Sequence, residues 1–415
     1  MHQKCRVCAS SMAEVLNLGS LPPTGFTFSA EDELRELIPL RLATCRRCGL
    51  SQLADEIKIE DLYVEGYGYF SSLNGQMLNH LSETAKRLNQ MINKRGGKIE
   101  RILDIASNDG SLLSKFDEIL DLKFKAGIDP LIRHLPDCYP KNSFKIESFF
   151  GIENEDEKIF SIESFDLVTS LSVLYDVPDL QNFVASVNRI LKPGGYWYTE
   201  QSYFVRLLEE ATFDSICHEH LYYFNLRDII SVAQPAGFKV IDVLENDVNG
   251  GSLGILLQKV SSVEKLNQEA STFILRETDK YLEELIASYQ SRVESKVNSL
   301  KNLLLEYLKN GRVIKGLGAS TKGNVILHVL GLSNGEIESI GEVNPKKFGR
   351  VTAVGNIPIV PEDEIWKNPE KTVILILPWH FKEFFLNKTA EFVKSGGVVI
   401  FPFPEVDIVS LDNWN

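Results

Sequence analysis

Four cysteines near the N-terminus constrain this chain more than any other feature. Cys5-Arg-Val-Cys8 and Cys45-Arg-Arg-Cys48 are two C-x-x-C pairs with 36 residues between them. Each pair is a turn that aims two sulfurs at one point, and two such turns suit tetrahedral thiolate coordination of zinc. A disulfide pair and a redox C-x-x-C are the competing readings. A cytoplasmic chain keeps its thiols reduced, and a redox motif needs no second copy. With Cys5, Cys8, Cys45 and Cys48 filling all four positions, no place remains for an activated water, so the zinc is expected to hold a small domain together rather than do chemistry. The stretch between the pairs is longer than a compact zinc ribbon needs, so other structure is expected there. Cys138 and Cys217 are left over.

A length of 415 residues allows two or three domains, each able to bury a core. Lys plus Arg is 44 and Asp plus Glu is 57, a formal charge of −13. Broad nucleic-acid binding rests on surplus cations, so this balance argues against it. A local basic pocket for a small phosphorylated ligand stays compatible. No apolar run approaches the roughly 18 to 20 residues of a membrane span. The longest, Val373–Pro378 and Val398–Pro402, read as buried strands, and the N-terminus has no apolar signal region. The expectation is a soluble cytoplasmic protein, monomeric or a small homo-oligomer, with neither nucleic acid nor membrane as partner.

The pattern along the chain predicts an α/β protein. Residues 1–60 form the zinc-binding module, and residues 61–260 begin with a polar helical stretch and then alternate. Strands are expected at Ile99–Ile105, Lys123–Ile128, Phe144–Glu147, Phe165–Ser170 and Tyr196–Glu200. A helix over Asn182–Ile190 is closed by Lys192-Pro193-Gly194-Gly195. Strand–helix alternation of this kind means a parallel, doubly wound sheet. Residues 261–310 are rich in Leu, Glu and Lys and read as one or two long amphipathic helices. Their apolar spacing is not a sustained heptad, which favours packing within the chain over a coiled coil. Residues 311–415 form a second α/β unit, with strands at Arg312–Gly316, Ile337–Val343, Thr372–Leu377 and Gly397–Phe401, a Gly-rich loop at 318–324 and a helix at Val325–Leu330. No period of 20 to 50 residues repeats.

Asp104 lies at the end of the first strand of the central unit, before the small polar loop Ala106-Ser107-Asn108-Asp109-Gly110. Asp129 ends the second strand 25 residues later, where a carboxylate can take both hydroxyls of a ribose. The loop lacks G-x-G-x-x-G, which counts against a pyrophosphate cofactor and suits an adenosine cofactor without phosphates, S-adenosylmethionine. Its amino acid part needs polar contacts near Asp104, Ser107 and Asn108, with Ala106, Gly110 and Leu171 completing the candidate cofactor site. A doubly wound domain for some other nucleoside is the plainer alternative.

The densest chemistry is in Phe213–Phe224, just past the fifth strand. His218, Glu219, His220, Tyr222 and Tyr223 fall within six residues, and the chain has only seven histidines. The site side of such a sheet is at the carboxyl ends of its strands. Imidazole changes protonation near neutral pH, and a positioned carboxylate can orient it. A zincin reading fails because H-E-x-x-H needs His at the position of Tyr222. A polar loop with incidental histidines is the bland alternative.

At this point the sequence resembles the three-domain C-methyltransferases of deoxysugar biosynthesis, which act on nucleotide-linked 4-keto sugars. The resemblance spans nearly the whole chain. It takes in the C-x-x-C pairs, Tyr67-x-Tyr69-x-Ser71-Ser72, Asn108-Asp109-Gly110-Ser111-Leu112-Leu113, Asp129-Pro130, Lys192-Pro193-Gly194-Gly195, Phe213-Asp214 with His218-Glu219-His220, and Gly250-Gly251-Ser252-Leu253. In the last unit it includes Gly316-x-Gly318-Ala319, Lys322-Gly323-Asn324, Asn344-Pro345-Lys346, Gly349-Arg350 and Leu377-Pro378-Trp379. The resemblance implies a zinc-binding module, a central Rossmann-like class I S-adenosylmethionine methyltransferase domain, and a C-terminal Rossmann-like domain that helps enclose the sugar nucleotide. It implies His220 as the base, with Glu219, Tyr67 and Tyr69 beside it, and methylation at C3 ahead of C5. A C–H beside a ketone is acidified because its carbanion delocalises as an enolate. A general base can remove the proton, and the carbon then attacks the sulfonium methyl in line. Tyr69 or Tyr222 can donate to the enolate oxygen. Lys322, Lys346, Lys347, Arg350 and Lys382 are candidates for the pyrophosphate, with His218 and Asn324 counted among the substrate contacts.

Three positions depart from the family pattern: Cys217 stands where Tyr is usual, Asp176 where a substrate-reaching His is common, and Asn249 where His is common. Asp176 and Cys217 are therefore expected to reshape the sugar pocket. Two rival functions stay open. An epimerase would exchange the proton without methyl gain, and a non-catalytic scaffold would bind no S-adenosylmethionine.

Overall fold

The computed structural model describes residues 4–23, 27–29, 36–55, 62, 69–73, 75–151, 163–262 and 268–414. Tyr67 lies outside the described residues. The chain begins with β1 (Met12–Leu21), β2 (Thr27–Phe28), β3 (Ile38–Cys45) and β4 (Ser51–Leu53). β1 and β3 are antiparallel with Met12 opposite Cys45, and this register brings the second cysteine pair beside the first.

The central unit opens with α1 (Gly75–Lys94). It buries Met77, Leu81, Ala85, Leu88 and Ile92, one apolar stripe at helical spacing. Then come β5 (Arg101–Ile105), α2 (Ser111–Asp117), β6 (Phe124–Ile128), β7 (Phe144–Ile146), β8 (Phe165–Leu171), α3 (Leu180–Ile190), β9 (Leu191–Ser202), α4 (Phe204–Glu210), β10 (Tyr222–Tyr223), α5 (Leu226–Ala233), β11 (Phe238–Asn246) and β12 (Ser252–Lys259). Seven of these strands form one sheet in the order β11-β12-β9-β8-β5-β6-β7, and β5 to β9 run parallel. The order reverses between β5 and β8, so a crevice opens at their carboxyl ends. β10 does not join this sheet. It pairs with β4, completing the zinc module's sheet in the order β1-β3-β4-β10.

Lys192-Pro193-Gly194-Gly195 does not close α3 as a separate turn. α3 ends at Ile190, and the four residues are a bulge within β9, between Leu191 opposite Phe165 and Tyr196 opposite Leu167. Gly194 has φ +77°, and the extra residues leave the ladder there.

Two helices follow, α6 (Gln268–Arg276) and α7 (Asp279–Lys309). α7 is capped by Thr278, whose hydroxyl accepts from the Tyr281 N–H at 3.3 Å, and it buries Tyr289, Val293, Leu300 and Leu304. The last unit contains β13 (Val313–Leu317), α8 (Thr321–Leu330), β14 (Ile337–Glu342), β15 (Val351–Thr352), β16 (Ile359–Pro361), β17 (Thr372–Ile376), α9 (Lys382–Lys394), β18 (Val398–Phe401) and β19 (Asp407–Val409). Its sheet runs β16-β14-β13-β17-β18-β19, parallel except for β19. β15 pairs instead with β2 of the zinc module. One buried apolar cluster runs from Leu16 and Leu18 through Phe204, Phe213 and Tyr289 to Ile314, Ile374 and Phe401. The modules thus share a core. No helix among the described residues is long and apolar enough to cross a membrane.

Candidate functional site

The sulfurs of Cys5, Cys8, Cys45 and Cys48 all lie within 4.8 Å of one another. Cys5–Cys48, Cys8–Cys45 and Cys8–Cys48 are 3.7, 3.4 and 3.6 Å apart. A tetrahedron with zinc–sulfur bonds of about 2.3 Å has edges of about 3.8 Å, so the set fits zinc with no position left over. The Arg47 and Cys48 N–H groups point at the Cys45 sulfur at 3.4 and 3.5 Å, which suits a thiolate. This zinc site is structural.

A cavity of about 910 Å³ occupies the crevice above β5, β6, β8 and β9 and is closed on its far side by the C-terminal unit. One wall is the loop after β5. Ala106, Asn108 and Gly110 there have φ of +54°, +51° and +84°. Such a loop persists only where its surroundings over-determine it. The Asn108 N–H donates to Asp129 Oδ2 at 3.0 Å, and Ser107 Oγ and Tyr139 Oη lie 2.6 Å apart. From the segment before α1, the Ser71 N–H donates to Asn108 Oδ1 at 2.9 Å and the Ser72 N–H to Asp109 Oδ2 at 2.8 Å. Asp104, Ala106, Ser107, Asn108, Asp129 and Leu171 line the cavity. Gly110 sits behind it, where a Cβ would lie 2.4 Å from the Tyr139 ring. Thr169 Oγ1 donates to Asp104 at 2.7 Å, while burial raises that carboxyl to about 7. Asp129 takes one backbone N–H on each oxygen and keeps lone pairs for a ribose diol. This donor set suits the ribose and the cationic amino acid end of S-adenosylmethionine.

The second wall is the turn between α4 and β10. His220 Nδ1 donates to the Ser215 carbonyl at 2.7 Å, so Nε2 carries the lone pair. The Tyr175 ring lies against the imidazole with centroids 4.0 Å apart. Burial, then the Lys322 charge, lowers His220 to about 3, so the imidazole is neutral near pH 7. Burial raises Glu219 to about 7. Its Oε2 accepts from the Cys217 thiol at 3.7 Å, and its Oε1 is buried with no partner among the described residues. Burial, with Glu219 and Asp176 nearby, pushes the Cys217 thiol up and keeps it protonated. Cys217, Glu219, His220, Tyr175 and Asp176 all line the cavity, and Tyr69 lines its open edge.

The third wall comes from the C-terminal unit: the loop Leu317–Lys322, Glu342 to Asn344, Lys347, His380, Phe381, Phe384 and Lys388. Two contacts fasten it to the central unit, one at the second wall and one at the loop between β11 and β12. Trp379 Nε1 donates to the buried Asp214 Oδ2 at 2.9 Å, and Lys322 Nζ donates to the Asn249 carbonyl.

Several sequence-derived candidates are not brought together here. His218 does not line the cavity, and its Nε2 donates to the Ile38 carbonyl of β3 at 3.2 Å. Tyr222 is held in β10, its hydroxyl donating to the Pro178 carbonyl at 3.1 Å, so it does not reach a substrate oxygen. Asn324 is buried inside α8, off the cavity. In the tight turn Pro345–Lys347 successive side chains diverge, so Lys347 lines the cavity while Lys346 is exposed and donates to the His134 carbonyl at 3.4 Å. Arg350 is exposed, and Lys382 pairs with Asp407 at 2.8 Å; neither lines the cavity. Conversely, sequence reasoning missed His80 and Glu200, which line the cavity and pair at 2.6 Å, with Tyr198 Oη donating to the same carboxylate at 2.5 Å. Glu200 lies in β9, a few residues after the Lys192–Gly195 segment of the family pattern, which was the available signal; His80 on α1 gave none.

Three family models match successive parts of the chain: a zinc binding domain over residues 5–63, a methyltransferase domain over 74–243 and a C-methyltransferase C-terminal domain over 247–404. The chain is 26% identical to the C-methyltransferase NovU of Streptomyces niveus over 421 aligned residues, covering 99% of this chain and 97% of that one. Among solved structures, the CurJ carbon methyltransferase aligns at 15% identity over 46% of this chain and 57% of its own, with a TM-score of 0.36. The N-methyltransferase NodS of Bradyrhizobium japonicum aligns at 15% identity over 43% of this chain and 96% of its own, with a TM-score of 0.33. Those two alignments are too loose to carry an argument. With its four-cysteine zinc site and three matching domains in order, the chain belongs to the zinc-containing, S-adenosylmethionine-dependent C-methyltransferases.

Proposed function

We propose that the protein methylates a carbon beside the ketone of a nucleotide-linked 4-keto-6-deoxysugar, at C3 rather than C5, in the cytoplasm and in branched-chain deoxysugar biosynthesis. We read residues 1–60 as the zinc module, 61–260 as the methyltransferase domain, 261–310 as a helical linker and 311–415 as the sugar-nucleotide domain. S-adenosylmethionine, when bound, supplies an electrophilic methyl group on sulfur. Asp129 holds the ribose, and Asp104 with Ser107 and Asn108 orients the amino acid end. His220 Nε2 takes the proton from the carbon beside the ketone. Tyr175 packs against the imidazole and the Ser215 carbonyl fixes its tautomer. Lys347 and Lys388 face the pyrophosphate from the third wall.

One observation carries this reading. A neutral histidine, with Nδ1 committed to a backbone carbonyl, shares a single cavity with a nucleoside-type loop on one side and lysines on the other. A base that forms an enolate needs that juxtaposition, because the carbon that gives up its proton to the base is the carbon that then takes the methyl group. The test is mass spectrometry on a panel of nucleotide-linked 4-keto-6-deoxysugars in deuterated water with S-adenosylmethionine. A product heavier by one methylene is expected. Deuterium uptake without methylene would assign an epimerase instead, and neither signal on any sugar would favour a scaffold.

A further inference from the structure

Lys322 is a cation with an incomplete environment. It sits at the second residue of α8, partly buried at the cavity wall, and its one described hydrogen bond goes to the Asn249 carbonyl. Asn249 holds φ +56°, a conformation asparagine tolerates better than most residues, so the loop offers that carbonyl to the ammonium. Among the described residues no carboxylate lies within ion-pair distance of Lys322; Asp214 acts on it only at longer range and is bonded to Trp379. An ammonium has three donors, and a buried cation left with one neutral acceptor lacks an anion.

The position of the missing anion follows from the neighbours. Three lysines line the cavity, Lys322, Lys347 and Lys388. Lys347 donates to the Ala319 carbonyl at 2.7 Å and lies 3.6 Å from Glu342, and Lys388 pairs with Glu362 at 2.6 Å. Only the Lys322 charge reaches His220 and His380. Lys322 lines the same cavity as the proposed base His220 and as His380, and it stands apart from the two lysines that are paired along the third wall.

We propose that Lys322 is a catalytic residue, whose ammonium donates a hydrogen bond to the ketone oxygen of the substrate as it becomes an enolate oxygen. This rests on the function proposed above and deepens it. When the C–H bond breaks, its proton goes to His220 Nε2 and its electron pair forms the C=C bond, which places the negative charge on oxygen. Lys322 keeps its own proton and meets that charge. The enolate pair then forms the new C–C bond to the methyl group as the methyl–sulfur bond breaks, leaving a neutral thioether, and oxygen returns to a ketone. Lys322, together with burial, also opposes protonation of His220, so the base is held in its neutral form. The oxyanion between the two then offsets both positive charges. The base and the oxyanion donor thus come from different parts of the chain, His220 from the turn before β10 and Lys322 from α8, and line one cavity.

The experiment uses the full zinc-loaded chain, Lys322→Met and Lys322→Arg. Three quantities are read: kcat for methyl transfer, solvent-deuterium wash-in with S-adenosylhomocysteine bound, and Kd for sugar nucleotide and cofactor separately. Removal of one oxyanion donor lowers kcat about 10²- to 10³-fold. Lys322→Met is expected to lose that much in both kcat and wash-in, with sugar-nucleotide Kd within about threefold of wild type and cofactor Kd unchanged. Lys322→Arg should recover part of the loss. A saturating kcat near wild type with sugar-nucleotide Kd raised tenfold or more would make Lys322 a diphosphate anchor and overturn the assignment. Should Lys322→Met not bind cofactor, Lys322→Arg decides: lowered kcat at unchanged Kd supports it, and raised Kd at unchanged kcat overturns it. A wild-type chain that neither methylates nor exchanges any sugar of the panel overturns the parent reading and this one together.

Discussion

Gly110→Ala tests the cofactor loop most directly. Gly110 holds φ +84°, and a left-handed residue with a Cβ costs about 1 to 2 kcal/mol. The new Cβ would lie 2.4 Å from two Tyr139 ring carbons, so the ring must move by about 1 Å to reach ordinary contact. Tyr139 Oη lies 2.6 Å from Ser107 Oγ and donates to the Asn108 carbonyl at 3.2 Å, and a shift of that size breaks both bonds. At about 0.5 to 1.5 kcal/mol each, their loss adds about 1 to 3 kcal/mol. The total is about 2 to 5 kcal/mol, which lowers Tm by about 2 to 6 °C for a chain of this length. The hydrogen-bond share falls on the binding form of the loop and raises the Kd for S-adenosylhomocysteine about 5- to 150-fold. Titration calorimetry and a thermal scan read the two effects. Gly311→Ala is the control: φ is +77°, but a Cβ there meets nothing within 4 Å, so only strain is added and cofactor affinity is unchanged. If Gly110→Ala bound cofactor as tightly as Gly311→Ala does, the steric reasoning would be refuted.

His220→Gln should keep cofactor affinity and lose about 10²- to 10⁴-fold in kcat together with deuterium wash-in; turnover within tenfold of wild type would remove His220 as the base. Cys45→Ser is expected to lower bound zinc well below one ion per chain, by metal analysis, and to destabilise the N-terminal sheet, since that ligand sits at the end of β3. For pH, Asp104 is raised from 3.8 to about 7 in the folded chain, so the folded state binds more protons than the unfolded one between those values. Its contribution to stability is full below about pH 4 and is lost as pH rises toward about 7. Asp104→Asn removes that dependence. Thermal scans should therefore show the difference in Tm moving in favour of the variant from pH 4 to pH 8, and a constant difference would contradict the burial argument.

Fold and site were legible in the sequence to different depths. The strands Arg101–Ile105, Phe165–Leu171 and Thr372–Ile376 are short segments rich in Ile, Leu, Val and Phe and largely buried on both faces, and such segments announce themselves. β10 has two residues, and its partner β4 lies about 170 positions earlier, so no local pattern could reveal the pairing. The Lys-Pro-Gly-Gly segment carries turn residues because a bulge uses the same backbone conformations as a turn. In the site, residue type pointed to Asp104, Asp129, Glu219 and His220. It could not separate Lys347 from Lys346, or His220 from His218, because which neighbour faces the cavity is decided by the direction of a turn. His80 is paired across 120 positions with Glu200, a contact that only the tertiary fold creates.

The pairing of β10 with β4 has a consequence for the nascent chain. Cys5 to Cys48 leave the ribosome well before Tyr222 and Tyr223, and zinc can then close the two knuckles. The edge of β4 then stays bare until Tyr222 and Tyr223 have been made, at about 5 to 20 residues per second some 10 to 35 seconds later. β2 waits longer still, for Val351 and Thr352. During that interval the module offers an unpaired strand edge, a template for the wrong partner. The zinc module therefore stays open to misassembly until strands from the central and C-terminal units have been made.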